Sequence, residues 1–134
     1  HLPGAYVATA AVAVIDQRAA TLSWVSAGHL PPLLRTPDGG AEFLWAPTQP
    51  PIGLVDRAVE PPSVALAPGS LLVLCTDGLV ERRGEDLDAR LGQLRAVTSA
   101  LPPDVDAAAA RDAILAELAP VAGEDDVAIV VVRT

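Results

Sequence analysis

The chain has 134 residues, about half of them apolar, and a formal net charge of −8, which is one domain's worth of sequence with enough apolar material for a core. The acidic balance argues against nucleic acid as a partner, because phosphate backbones are gripped by basic surfaces, and no apolar stretch is long enough to span a bilayer. A single cysteine, Cys75, excludes an internal disulfide, the opening residues lack a secretion-signal pattern, and a cytoplasmic location is expected.

In chain order, His1-Leu2-Pro3-Gly4 reads as loop, and the alanine- and valine-rich run from Tyr6 to Ile15 as a buried strand, with helix as the alternative. Asp16-Gln17-Arg18-Ala19 then turns the chain into Thr21–Ser26, where polar Thr21 and Ser23 alternate with apolar Leu22 and Trp24. Period two predicts a half-buried strand, so the two segments form a hairpin. Pro31-Pro32 cannot sit in a central strand. Leu33-Leu34-Arg35 and Glu42-Phe43-Leu44-Trp45 flank Pro37-Asp38-Gly39-Gly40, which predicts a second short hairpin. The stretch from Ala46 to Pro62 is proline-rich loop. A short strand at Ser63–Leu66 then leads through Pro68-Gly69 into Leu71-Leu72-Val73-Leu74-Cys75, an apolar run of the kind buried on both faces.

Two helices are expected next. Leu87, Leu91, Leu94, Val97 and Leu101 recur at helical spacing, with Asp86 and Asp88 at the positive end of the helix dipole. Pro102-Pro103 ends that helix, and Asp104 is the candidate cap for a second with Ala107, Ala110, Ile114 and Leu118 as its stripe and Pro120 as its stop. A terminal strand, Val127–Val132, again reads as buried on both faces. Strands, a helical pair and a returning strand describe an α+β domain.

The chemistry gathers around the Leu71–Cys75 run. It ends at Thr76-Asp77-Gly78, while Glu124-Asp125-Asp126 leads directly into the terminal strand. If the two strands are antiparallel neighbours, Asp77 and the Asp125-Asp126 pair fall at one sheet end. Carboxylates brought together repel unless a proton or cation lies between them, and oxygen ligands suit magnesium or manganese. Twelve acidic residues against five arginines from Asp77 to Asp126 support a cation. Taken alone, Asp77-Gly78 is more often a turn and Asp125-Asp126 a solvated loop; their pairing favours a site. The chain also has nine arginines and no lysine, a bias with no functional reading in the sequence.

Five segments in order, Val25-Ser26-Ala27-Gly28-His29-Leu30-Pro31-Pro32-Leu33-Leu34, Pro51-Ile52-Gly53-Leu54, Leu66-Ala67-Pro68-Gly69-Ser70-Leu71, Thr76-Asp77-Gly78-Leu79-Val80-Glu81 and Asp125-Asp126-Val127-Ala128-Ile129-Val130, resemble the sporulation stage II protein E family of bacterial serine/threonine phosphatases, a branch of the metal-dependent type 2C phosphatases. The resemblance runs from Tyr6 to the end of the chain. It implies an antiparallel β-sandwich flanked by helices, with two manganese or magnesium ions at one end of the sheets. It also implies in-line attack of a metal-activated water on phosphoserine or phosphothreonine, with no covalent enzyme intermediate and hence no catalytic side chain as nucleophile. By motif, Asp77 would be one metal ligand and Asp125 the second, with Asp126 as the alternative, and Gly78 would let the backbone pass close to the site. His29 reads either as a group near the site or as a structural turn residue. Glu81 reads either as a group near the site or as an exposed side chain.

The family's N-terminal Gly-Asp-x-x-Asp and Asp-x-x-Gly-His-Gly segments are not among these residues. The expectation is therefore a single phosphatase-like domain over residues 1–134 that lacks its N-terminal part, supplies ligands for one metal ion at best, and has little activity alone. The partners implied are a phosphorylated regulator of the anti-anti-sigma type and an upstream sensory domain, with no nucleic acid and no membrane. A missing part of the sandwich predicts exposed apolar surface and self-association. The other reading of the resemblance is a catalytically degenerate module that still binds a signalling partner.

Overall fold

The computed structural model describes residues 8–46, 49–52, 60–118 and 126–134. The first hairpin joins β1 (Ala10–Asp16) to β2 (Thr21–Ala27), and the Asp16 carboxylate closes its turn by accepting the N–H groups of Arg18 and Ala19, each at 2.9 Å. The second joins β3 (Leu33–Arg35) to β4 (Ala41–Phe43). The Asp38 carboxyl in its turn is held below the usual carboxylate range, first by the Thr36 hydroxyl and then by the Gly40 N–H. Then come β5 (Ser63–Ala65), β6 (Leu71–Cys75), α1 (Leu87–Ala100), α2 (Ala107–Leu118) and β7 (Ile129–Arg133).

Three layers result. A three-stranded sheet of order β1-β2-β5 faces a four-stranded sheet of order β4-β3-β6-β7, with antiparallel strand pairing in both. The helix pair covers the other side of the larger sheet. Alternation along β6 divides its side chains between two cores: Leu72 and Leu74 pack with Leu22, Trp24, Leu34 and Leu66 between the sheets. Leu71, Val73 and Cys75 pack with Leu91, Leu94, Ala110, Ile114 and Leu118 beneath the helices. The Pro68-Gly69 turn carries the chain from one sheet to the other, with Gly69 at φ +86. This is the α+β sandwich with flanking helices that the sequence predicts, the helices lying on one side.

Several details differ. Strand β1 is an edge strand, not a buried one: Val12 and Val14 point away from the sandwich and are 58% and 60% exposed, while Ala13 and Ile15 face the core. Tyr6 and Val7 lie outside the described residues. Strand β7 is likewise half-buried, with Val130 57% exposed, because it is the outermost strand of its sheet. The second hairpin pairs Ala41–Phe43, one register earlier than Glu42–Trp45, and leaves Trp45 exposed beside Phe43. Leu87 is partly exposed at the first position of α1, where Asp86 caps the helix by accepting the Ala89 N–H at 3.2 Å. Asp106, not Asp104, caps α2, accepting the Ala109 N–H at 2.7 Å. Pro120 lies outside the described residues.

The arginine bias acquires a structural role. The Arg35 guanidinium, buried, donates to the Leu101 carbonyl at the end of α1 (2.8 Å). Arg82 and Arg90 both donate to the Leu118 carbonyl at the end of α2 (3.1 and 3.4 Å), and Arg133 donates to the Val105 carbonyl between the helices. Helix C-terminal carbonyls lack intrahelical donors, and a forked, always-charged guanidinium reaches them across layers in a way a single ammonium does not. No helix among the described residues is long and apolar enough to cross a membrane.

Candidate functional site

The antiparallel pairing of β6 with β7, from Leu71↔Arg133 to Cys75↔Ile129, decides where the acids go. Strand β6 leaves the sheet at the end where β7 enters it. Beyond Cys75 the main chain turns through a 3-10 segment, Asp77–Leu79, closed by Leu79 N–H to the Thr76 carbonyl (3.1 Å) and by Val80 and Glu81 N–H to the Asp77 carbonyl (2.8 and 2.7 Å). Asp77 is exposed, and one of its carboxylate oxygens accepts the Gly78 N–H at 2.9 Å. Gly78, Leu79 and Val80 are buried, so the turn is anchored by apolar packing while its acid faces water.

Asp126 lies at the same end, in the segment that leads into β7. Its carbonyl is 3.2 Å from the Thr76 hydroxyl, and its side chain is exposed. Asp77 and Asp126 are therefore brought to one sheet end. Asp125, the acid the family motif implies, and Glu124 lie outside the described residues, as do Gly53 and Leu54. Glu81 is exposed, one helical turn beyond Asp77.

His29 belongs to the β2–β3 connection, which reaches the same end because β3 is antiparallel to β6 and begins opposite Val73. Its ring nitrogen Nδ1 lies 3.1 Å from the Leu30 carbonyl, and its own carbonyl accepts the Ser26 hydroxyl at 2.5 Å. Gly28 beside it has φ +62, donates to the Gln49 carbonyl at 3.0 Å, and leaves no room for a Cβ, which would lie 2.6 Å from Pro51 Cγ. Through Gly28 these contacts pack the turn on the Gln49–Pro51 segment, at the sheet end where Asp77 and Asp126 lie. Burial pushes the Cys75 thiol up to about 11, with the charge of Asp77 adding to it, which makes it a poor nucleophile. A groove of about 540 Å³ on the helix layer carries one carboxylate, Glu117, among the apolar residues Val97, Leu101 and Pro102, without the convergent polar groups of a catalytic pocket.

The donor chemistry at the acid end suits a hard divalent cation, since Asp77 and Asp126 offer carboxylate oxygens. A six-coordinate shell needs more: among the described residues no group of three or more His, Cys, Asp and Glu side chains converges. The described residues thus fit part of one cation's shell. Thr76 is the residue that sequence reasoning passed over. It stands inside a quoted motif, but its partners are fifty and fifty-two positions away, and only the assumption of antiparallel neighbours could have pointed to them.

The family model for Stage II sporulation protein E matches residues 1–134. The chain belongs to the SpoIIE family. Among solved structures, the RsbU and RsbW domains of a Mycobacterium tuberculosis protein are 27% identical with a TM-score of 0.76, covering 98% of this chain and 38% of that one. The PP2C phosphatase domain of SpoIIE from Bacillus subtilis, with a fragment of its regulatory domain, is 26% identical with a TM-score of 0.72, covering 93% of this chain and 38% of that one. A manganese-presoaked form of the Bacillus subtilis phosphatase domain shares the fold at 23% identity and a TM-score of 0.63, covering 93% of this chain and 56% of that one. The SpoIIE-family fold found here is thus that of PP2C phosphatase domains, and the chain spans 38% of the length of the first two relatives.

Proposed function

We propose that this chain contributes one metal-binding half of a serine/threonine phosphoprotein phosphatase centre. The observation that carries the reading is the β6–β7 pairing, which brings Asp77 and Asp126 to one sheet end, in a chain of the SpoIIE family. Manganese or magnesium would be held by Asp77 together with Asp125 or Asp126. When bound, the cation supplies a Lewis acid for phosphoryl oxygens and acidifies water.

The chain's own residues do the rest. Asp77 and Asp126 place negative charge where a cation is needed, and the buried Gly78–Val80 segment holds the turn that carries Asp77. A phosphate ester approaching a chain of net charge −8 is repelled unless a cation separates the two, so substrate binding depends on the metal. The substrate class is a phosphoserine or phosphothreonine on a bacterial regulatory protein of the anti-anti-sigma type. An upstream sensory domain, a cytoplasmic setting and self-association through the apolar face of β1 belong to the same proposal.

Because the described acids fill only part of one shell, the 134-residue chain by itself turns over little or no phosphoserine peptide with manganese, and a dinuclear centre requires further acids. Calorimetric titration with Mn2+ tests the reading: the wild-type chain binds, and Asp77→Asn weakens binding about tenfold or more. Equal affinity would remove Asp77 from the ligand set. The second reading, a degenerate module that binds a signalling partner, predicts no Mn2+ binding at all.

A further inference from the structure

We infer that Thr76 is the positioning residue of the acid pair: its hydroxyl is the stitch that lets β6 break into the Asp77 turn while the Asp126 end of β7 stays docked beside it. The inference rests on the cation reading above and adds to it a residue that binds no metal.

In an unbroken antiparallel ladder, a hydrogen-bonded pair of residues exchanges both N–H to carbonyl bonds. One register step beyond Cys75↔Ile129, Thr76 faces Ala128, and the first of those bonds is present, Thr76 N–H to the Ala128 carbonyl at 2.9 Å. The second is not made by the main chain. The Thr76 carbonyl accepts Leu79 N–H at 3.1 Å instead, closing the 3-10 turn that presents Asp77. The Ala128 N–H would be left without its acceptor, and the Thr76 hydroxyl takes that place at 2.8 Å.

The same oxygen has a proton to give. It lies 3.2 Å from the Asp126 carbonyl and 3.4 Å from that of Ala128, and the shorter contact is to Asp126. One hydroxyl thus accepts from Ala128 and donates to Asp126, using both functions of the group. The residue that precedes one acid is bonded to the backbone of the other. A valine in this position would keep the volume and the strand propensity while leaving the Ala128 N–H unanswered. A serine would keep the hydroxyl. Carboxylates that hold a cation need their carrier segments fixed relative to one another, and the hydroxyl ties the main chain before Asp77 to the main chain of Asp126 and Ala128.

The test compares Thr76→Val and Thr76→Ser in the 134-residue chain by two measurements, amide hydrogen exchange at Ala128 and Mn2+ affinity from calorimetry. Thr76→Val is expected to speed Ala128 exchange about tenfold and to weaken Mn2+ binding about tenfold, with exchange at Leu72 and Val132 unchanged. Thr76→Ser is expected to restore both. Unchanged Ala128 exchange in Thr76→Val overturns the stitch, and altered exchange with unaltered Mn2+ affinity overturns the positioning role. A wild-type chain that binds no Mn2+ overturns the cation reading itself, and with it the role assigned to Thr76. That failure is told apart because it appears in the wild type and not as a difference between variants.

Discussion

At its entry β6 is closed by main-chain and side-chain bonds: Gly69 N–H reaches the Thr134 carbonyl at 2.7 Å, Thr134 N–H the Ser70 carbonyl at 3.1 Å, and the hydroxyls of Ser70 and Thr134 the Ala67 carbonyl at 2.7 and 3.0 Å. Ser70 is 1% exposed. At its exit, five residues later, the chain turns outward and leaves two carboxylates on the surface. The contrast separates two uses of polar groups. At the entry they satisfy one another inside the fold, while at the exit Asp77 and Asp126 lie exposed to water. Exposed acids brought to one sheet end are the ones to test for a ligand.

Replacements along β6 sharpen that contrast. Leu72→Ala, at the middle of the strand and buried between the sheets, should lower unfolding free energy by about 2–5 kcal/mol in urea titration, impairing both ends together. Ser70→Ala should cost about 1–2 kcal/mol through the Ala67 carbonyl it leaves with one donor fewer, with Mn2+ affinity unchanged. Asp77→Asn, exposed, should change stability by no more than about 0.5 kcal/mol while reducing Mn2+ affinity. A loss of stability in Asp77→Asn as large as in Ser70→Ala would erase the distinction. The apolar outer face of β1 gives a further check: light scattering should find association, and Val12→Lys with Val14→Lys should reduce it. A strictly monomeric wild-type chain would count against that face as a contact.

The sequence makes β6 and its acid legible because a continuous apolar run stopped by Asp-Gly is an unusual signal, and the pairing with β7 follows from a second run preceded by acids. The same logic misreads β1 and β7. A run of alanine and valine looks equally apolar whether one face or both are covered, so the exposure of Val12, Val14 and Val130 depends on strand order, which no local pattern contains. The sequence reading names Asp104 as the cap of α2, whereas the carboxylate that meets Ala109 N–H is that of Asp106, two positions further on. Thr76 and the arginines were invisible for one reason: their partners are carbonyls and amides on other elements, and backbone groups leave no trace in residue identity.

The arginine bonds have a consequence for ionic strength. Arg35, Arg82, Arg90 and Arg133 each donate to an uncharged carbonyl, with Arg90 also 3.5 Å from the Glu85 carboxylate, in a chain whose acids outnumber its cations by eight. Contacts of that kind lose little when salt is added, whereas the mutual repulsion of the surplus carboxylates fades as the Debye length falls from about 30 Å at 0.01 M to about 10 Å at 0.1 M. Sodium chloride over that range should therefore raise the melting temperature, opposite to the response of a fold held by surface ion pairs.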